Sequence, residues 1–556
     1  LNDHRFILYE MNRSLRTIEI TSATTLKDIC EEFRNSTDDL ILIDENSVIA
    51  EPHLNLLTDY PRTASAALVA TQKNGNTFVR QHRIASASSE SHKVSTGNRD
   101  FVGAMRLSQN QREPILKALT SASTRGAKGN ALDLTLVALV RATVRVDAAD
   151  VWAAPYVRSS SEYERKLVKD QLEKINMNSV RLRMANRAND GFFSVFFLRK
   201  FSKILTWAAV RIGVTPNQIT LISFAIGMYA AYQFALGDFW QILFGAILLQ
   251  ISIIVDCVDG ELARYKRKFS KLGAWLDAIT DRVKEYLVFF GLAYGAYRDG
   301  RNLWLPAIAM MTIQTYRHLS DYNFAQLMRL RMEPEFAKSV DFMAESDGII
   351  PLERPARGRL RYWLGKIIQF PIGERWLVIS VSAVIGGAAF TFTIMPILSF
   401  ISIFVVFRGR YRRDKQFKDH VVDKTWLITQ TDLLWKNGKI RLSREWLVPS
   451  TLRAIEVFFL VLILSWKGLI SGTTFILIFA VLFHHYDNLY RALQGERKPD
   501  WLSALGLFFG GRFLIIFIAV LAGWNLLVFT WYFGILFFVI ASAQWVLAHR
   551  TNKVSR

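Results

Sequence analysis

The chain has 556 residues, 51% of them hydrophobic, and a formal net charge of +21; that length exceeds one ordinary domain, and that composition leans towards a membrane protein. Its Lys and Arg cluster beside long apolar runs, as in Arg264-Tyr-Lys-Arg-Lys268 and Arg408-Gly-Arg-Tyr-Arg-Arg413, which suits the cytoplasmic face of a bilayer and speaks against nucleic acid as a partner. Two cysteines, Cys30 and Cys257, exclude a disulfide framework or a cysteine zinc site, and Cys257 reads as a small helix-packing residue.

The opening Leu1-Asn-Asp-His-Arg carries no signal-peptide pattern, and its missing initiator Met predicts a longer gene product. Residues 1–160 read as a soluble α/β domain. Leu40–Asp44 predicts a strand ending in an acid, Pro52–Tyr60 a helix and Ala66–Ala70 a second strand. A polar, Ser-rich stretch from Ser86 to Asn98 interrupts the pattern, and helical spacing resumes near Gln111–Ala122 and Leu132–Val144. Through Asp44 and the stretch Val144–Tyr156, this segment resembles the sugar-nucleotidyltransferase fold. That family cradles a triphosphate on a Gly-rich N-terminal loop with a following basic residue. No such loop stands here, so a degenerate, structural domain is expected.

Residues 161–190 read as a linker. From Gly191 the character changes, and Phe192–Val210 has the apolar and basic faces of a helix lying on the cytoplasmic leaflet. Ten apolar runs follow, each near the roughly 20 residues that cross a bilayer: 217–236, 239–263, 272–297, 303–326, 375–392, 394–409, 449–466, 470–487, 503–521 and 524–547. Basic stretches before 217, at 264–271, 327–374, 408–447 and 491–499, and after 548 alternate with short, less basic connections. They predict a cytoplasmic (inner) membrane protein with both termini in the cytoplasm. Residues 191–412 would then be a six-helix bundle, 413–448 a cytoplasmic connector and 449–556 a four-helix membrane extension.

Polar residues at membrane depth carry the chemistry. Asp256, Asp259, Gly260 and Ala263 fall at i, i+3, i+4 and i+7 on one helical face, and Gly273, Asp277 and Asp281 step by four on the next helix. The short turn between them brings four carboxylates together. Unscreened, these would repel one another and resist ionisation; as hard oxygen donors they suit Mg²⁺, Mn²⁺ or Ca²⁺. The small residues leave room for a base and a diphosphate.

The run Asp256-x-x-Asp259-Gly260-x-x-Ala263-Arg264, eight residues, then Gly273-x-x-x-Asp277-x-x-x-Asp281 resembles the signature of the CDP-alcohol phosphotransferase family at every position. The resemblance covers about residues 190–412, with Thr215-Pro216-Asn217 similar to the family's entry to its first span. It implies a six-helix fold, usually homodimeric, with a cytoplasm-facing cavity, active-site side included, that holds two Mg²⁺ or Mn²⁺ ions. By that resemblance Asp256, Asp259 and Asp277 ligate metal, and Asp281, also near the metals, is the general base. Asn217, Gly260, Ala263, Arg264 and Gly273 belong to the CDP site. The implied reaction moves a phosphoalcohol or phosphatidyl group from a CDP-linked donor to a hydroxyl acceptor in phospholipid or polyol-phosphate biosynthesis.

Acceptor identity stays open at this level, between an inositol phosphate and a lipid. Lys284, one turn beyond Asp281, and Arg317 are the candidate acceptor-binding cations; Arg317 alternatively pairs with Asp321. Arg408, Arg410, Arg412 and Arg413 read as interfacial anchors. His484 and His485, beside Asp487, read as an interfacial polar cap, with metal binding as the alternative. Two rival functions are a cation-binding membrane transporter and a catalytically inactive membrane scaffold.

Overall fold

A computed structural model describes residues 16–58, 64–80, 83–90, 92–126, 128–185, 190–332, 356–414 and 445–550. It divides into two compact units, Leu1–Asn186 and Arg187–Arg556.

The first unit is a mixed α/β sheet. Its strands are β1 (Arg16–Ile20), β2 (Leu40–Asp44), β3 (Ser47–Val48), β4 (Ser65–Thr71), β5 (Thr77–Arg80), β6 (Arg83–Ala87), β7 (Arg99–Leu107), β8 (Val146–Asp150) and β9 (Val157–Arg158). Seven of them form one sheet in the order β1-β2-β7-β4-β8-β6-β5, while β3 and β9 pair separately. Strand alternation divides the core in two. Leu40 and Leu42 face α1 (Leu26–Asn35), whereas Ile41 packs on the other side near α2 (Glu51–Asn55). Helices α3 (Arg112–Thr124) and α4 (Ala131–Arg141) share the α1 face.

Two expectations change here. The Ser-rich interruption hides the end of β6 and leads into β7, a central strand whose buried Arg106 bonds the Ala64 carbonyl at 2.6 Å. The stretch read as linker instead holds α5 (Glu162–Glu173) and α6 (Met177–Met184). Arg165 donates to Asn46 at 2.9 Å and Arg181 pairs with Glu51 at 2.5 Å, so both helices belong to the first unit.

The second unit is helical. It contains α7 (Arg199–Ile212), α8 (Pro216–Leu236), α9 (Phe239–Lys266), α10 (Lys271–Arg298), α11 (Trp304–Met332), α12 (Ala356–Ile368) and α13 (Ile372–Asp414). The C-terminal helices are α14 (Val448–Trp466), α15 (Gly472–Leu493), α16 (Asp500–Leu505), α17 (Phe508–Leu521), α18 (Leu526–Gly534) and α19 (Ala541–Arg550). Among the described residues, six stretches are long and apolar enough to cross a bilayer: 216–236, 239–266, 372–414, 448–466, 500–521 and 526–549. The protein is therefore a multi-pass membrane protein. Phe244, Ile247, Phe404, Phe458 and Trp531 stand exposed on these helices, as lipid-facing side chains do. Helices α10, α11 and α15 also match expected spans but carry more polar side chains, many of them buried.

The fifth and sixth expected spans meet at Gly387, with φ of 67° and ψ of −163°, and not near 393; Pro396 lies inside the helix that follows. The 413–448 connector falls mainly on residues outside those described, as does much of the 327–374 loop. One apolar core runs from Leu198 through Trp376 to Trp545, so helices α8–α11 and α13 share an interior with the C-terminal helices.

Candidate active site

The site forms where α8, α9 and α10 meet. Thr215 caps α8 in a capping box with Gln218, and Pro216 occupies the first turn, where its missing N–H costs nothing. Helix α9 closes with Arg267 at φ 52° and a bond from Lys268 N to the Ala263 carbonyl at 2.9 Å. Three residues on, Ser270 accepts from Gly273 N at 2.9 Å and starts α10. This tight reversal sets the two halves of the acidic motif side by side.

Oxygen atoms of Asp256, Asp259 and Asp277 lie within 4.8 Å of one another. Each acid has a definable neighbourhood. Thr220 Oγ1 donates to Asp259 Oδ2 at 2.5 Å, and Ser223 Oγ donates to Asp256 Oδ1 at 3.0 Å. The ammonium of Lys284, fully buried, bridges Asp256 at 2.5 Å and Asp281 at 3.0 Å and reaches Ser223 Oγ at 2.9 Å. It also stands 5.2 Å from the Trp376 ring. Asp256 and Asp281 thus share one buried ammonium. Three hard oxygen donors within 4.8 Å of one another fit a divalent cation of the Mg²⁺ or Mn²⁺ kind.

The glycines of the motif are places where a side chain would intrude. A Cβ on Gly273 would lie 2.9 Å from Asn217 Oδ1 and 3.0 Å from Ser270 Oγ. One on Gly260 would lie 3.2 Å from Arg264 Nη1. Asn217 thus comes close to Gly273 across the helix pair, and the Arg264 guanidinium folds over Gly260.

The two candidate acceptor-binding cations part company. Lys284 sits among the carboxylates. Arg317, on α11, is buried away from them and bonds the carbonyls of Gln369 and Phe370, the latter at 2.7 Å. Asp321 pairs with Arg410 at 2.6 Å and not with Arg317. Arg410 lies within 5.8 Å of the Phe324, Phe407 and Trp446 rings. His484 and His485 are buried and not an interfacial cap: His485 Nε2 lies 3.1 Å from Glu456, and Lys498 Nζ lies 3.1 Å from His484 Nδ1.

Sequence reasoning passed over several supports. Thr220, Ser223 and Gly227 form an i, i+3, i+7 stripe on α8 that a search for small polar residues within an apolar span would find. Glu261, between the signature positions, is buried on the far side of α9. It accepts from Arg199 at 2.7 Å, Ser202 at 2.7 Å and Thr206 at 2.6 Å, which fastens α7 to the acidic helix. Arg199 also bonds Asp190 at 2.5 Å.

Residues 213–334 match the CDP-alcohol phosphatidyltransferase family, so this stretch is a domain of that kind. Residues 439–550 match a family of unknown function, DUF5941. The chain is similar to the archaetidylinositol phosphate synthase of Pyrococcus horikoshii, 44% identical over 84 residues, which are 15% of this chain and 43% of that protein. It is also similar to the bifunctional IPC transferase and DIPP synthase of Archaeoglobus fulgidus, 41% identical over 115 residues, 19% of this chain and 22% of the relative. The phosphatidylinositol phosphate synthase of Mycolicibacterium smegmatis is 35% identical over 98 residues, 17% and 43% of the two chains. The match spans less than half the length of each of these three relatives.

Proposed function

We propose that the membrane unit, built around its CDP-alcohol phosphatidyltransferase domain, transfers a phosphoalcohol group from a CDP-linked donor to a hydroxyl acceptor and releases CMP. The observation that carries this reading is the convergence of Asp256, Asp259 and Asp277 oxygens within 4.8 Å, beside Asp281 and Lys284. Asp256, Asp259 and Asp277 would hold Mg²⁺ or Mn²⁺, with Asp281 close by. Bound there, such ions supply neutralisation of the donor's diphosphate and of charge on the leaving oxygen.

The chain's own groups do the rest. Gly260, Ala263 and Gly273 admit the cytidine diphosphate against the helices, with Asn217 and Arg264 at its edge. The acceptor hydroxyl attacks the β-phosphorus; its O–P bond forms as the bond to the CMP oxygen breaks. Asp281 takes the hydroxyl proton. Lys284 holds Asp281 and Asp256 in fixed orientation through bonds of 3.0 and 2.5 Å. The product is a phosphodiester.

The relatives' names favour an inositol phosphate as acceptor and a CDP-linked lipid as donor. A phosphorylated acceptor needs a cation near Asp281, and Lys284 is the nearer of the two candidates; Arg317 keeps Nη1 without a hydrogen-bond partner among the described residues. The basic flanks of the spans favour a site that opens to the cytoplasm of the inner membrane, with both termini on that side. A homodimer of such units completes the reading.

The first unit enters it as a degenerate nucleotidyltransferase-like domain. Asp44, at the end of β2, is gripped by Arg158 at 2.6 Å, and the same guanidinium holds Asp133 at 2.7 Å. A fixed arginine thus occupies the acid that closes this strand.

Mass spectrometry of products tests the proposal: purified chain is mixed with CDP-diacylglycerol or smaller CDP-alcohols, and with inositol phosphate or glycerol phosphate, in Mg²⁺ or Mn²⁺. A phosphodiester and equimolar CMP are expected from the wild type and neither from Asp281→Asn. Absence of CMP with every donor contradicts it.

A further inference from the structure

Helix α10 presents two opposite stripes. At about 100° per residue, Gly273, Asp277, Asp281 and Lys284 fall on one side and Lys271, Trp275, Arg282 and Tyr286 on the other. The first stripe meets α8 and α9. The second meets the C-terminal helices, for which the family match supplies no function.

The contacts on that second side are polar, buried and aimed at α10. Trp275 Nε1 donates to Asp487 Oδ1 at 3.0 Å, with both residues buried. Asp487 is held in turn by Arg491 and Lys498, each at 2.8 Å, and Arg491 reaches the Ala541 carbonyl at 2.7 Å. The Trp275 and Trp545 rings are 6.2 Å apart. Further along, Tyr486 OH lies 2.9 Å from His318 Nδ1, which Arg282 Nη1 approaches to 3.0 Å, and the Tyr286 hydroxyl lies 3.3 Å from Tyr486 OH. At the exposed start of α10, outside this buried set, Lys271 pairs with Glu496 at 2.6 Å, and Gln494 donates to the Lys271 carbonyl at 3.1 Å. Ionisable groups inside a membrane protein are costly and persist where they serve a purpose. Here they grip the back of the helix whose front carries Asp277 and Asp281.

We propose that helices 448–550 are a positioning element for α10, in which Asp487, through Trp275, fixes the helix's rotation and so the placement of Asp277 among the acids. Asp487 and Trp275 are positioning residues, since neither lies on the acidic stripe. This inference rests on the reading of those acids as a cation site. Outer partners that orient ligands typically change metal affinity by about 10–100-fold when removed.

The test measures Mn²⁺ affinity by electron paramagnetic resonance, together with thermal stability, in the full detergent-solubilised chain. Trp275→Phe removes the donor to Asp487 and reduces the ring contact with Trp545, while leaving Asp487 paired with Arg491 and Lys498; Asp487→Asn is the companion variant. The control is Glu456→Gln, which disturbs an equally buried ion pair with Arg512, at 2.5 Å, inside the C-terminal helices. Trp275→Phe and Asp487→Asn are each expected to weaken Mn²⁺ binding about 10-fold or more, with the double variant no weaker than the weaker single. Glu456→Gln is expected to melt earlier yet bind Mn²⁺ as the wild type does. Wild-type affinity in Trp275→Phe, or equal weakening in Glu456→Gln, overturns the inference alone. A wild-type chain that binds no Mn²⁺ overturns the cation-site reading and this inference with it.

Discussion

Gly227 lies outside the acidic motif, yet the account makes it a determinant of activity. A Cβ at this position on α8 would stand 2.7 Å from Lys284 Cδ and 2.8 Å from Cγ. Those distances are roughly 1 Å short of ordinary carbon contact. A free lysine stem would swing aside at little cost. This one is pinned at its tip by Asp256 at 2.5 Å, Ser223 at 2.9 Å and Asp281 at 3.0 Å. A displacement of that size stretches the Asp256 bond to about 3.5 Å and the other two beyond it, where hydrogen bonding fails. Gly227→Ala should therefore cost about 1–3 kcal/mol by overpacking and lower CMP release by about 10-fold, the equivalent of about 1.4 kcal/mol. Gly409→Ala is the control: nothing lies within 4 Å of its Cβ, and alanine should leave turnover unchanged. The assay is initial CMP release beside thermal unfolding of each variant. Wild-type turnover in Gly227→Ala would refute the claim that Lys284 orders the acids.

Glu261→Ala should release α7 from α9, because three donors lose their acceptor. Breaking a buried ion pair costs about 3–5 kcal/mol, and the lower end applies because Arg199 keeps Asp190; hydrogen exchange over 199–212 should quicken, and unchanged protection would contradict it. Gly291→Val should part α8 from α10, since even a Cβ there would lie 2.2 Å from the Ala231 carbonyl oxygen, a backbone atom. A loss of about 1–3 kcal/mol is expected in the unfolding free energy, and a neutral result would sink that packing. In the first unit, burial pushes His53 down from 6.5 to about 4. The unfolded chain binds that proton first, so stability is full above about pH 6.5 and lost as pH falls towards 4, by up to about 3 kcal/mol. His53→Leu should flatten that acid limb of the unfolding curve; an unaltered limb would assign it to other groups.

Much of this architecture is legible in the residues because the bilayer imposes length and apolarity on each span. The acidic motif is legible for a related reason: charge at membrane depth has no bland explanation when it recurs on two stripes. Boundaries inside apolar runs were less visible. Gly386-Gly387 breaks one helix without any polar residue to mark it, whereas Pro396 continues the next. Lys284 was legible as a cation near Asp281, but its bond to Asp256 depends on how α9 and α10 cross, which spacing along one helix does not give. Glu261 was hidden by its position between signature residues, facing away from them. In the first unit β7 was masked by the polar stretch before it and by Arg99, Asp100 and Arg106 within it, charges that the sheet satisfies through partners such as Asp150, 2.7 Å from Arg99. The role of residues 448–550 could not be read from local pattern at all, because Trp275 and Asp487 meet across 212 positions of chain.

The most direct test of the central claim strips divalent metal from the purified chain and follows CMP release from a CDP-alcohol as Mn²⁺ is restored. The stripped wild type should be silent and recover with added Mn²⁺, while Asp277→Asn should stay silent at the concentration that restores the wild type. Full-rate turnover in the stripped protein, or wild-type recovery in Asp277→Asn, would contradict the assignment of these acids as the cation site.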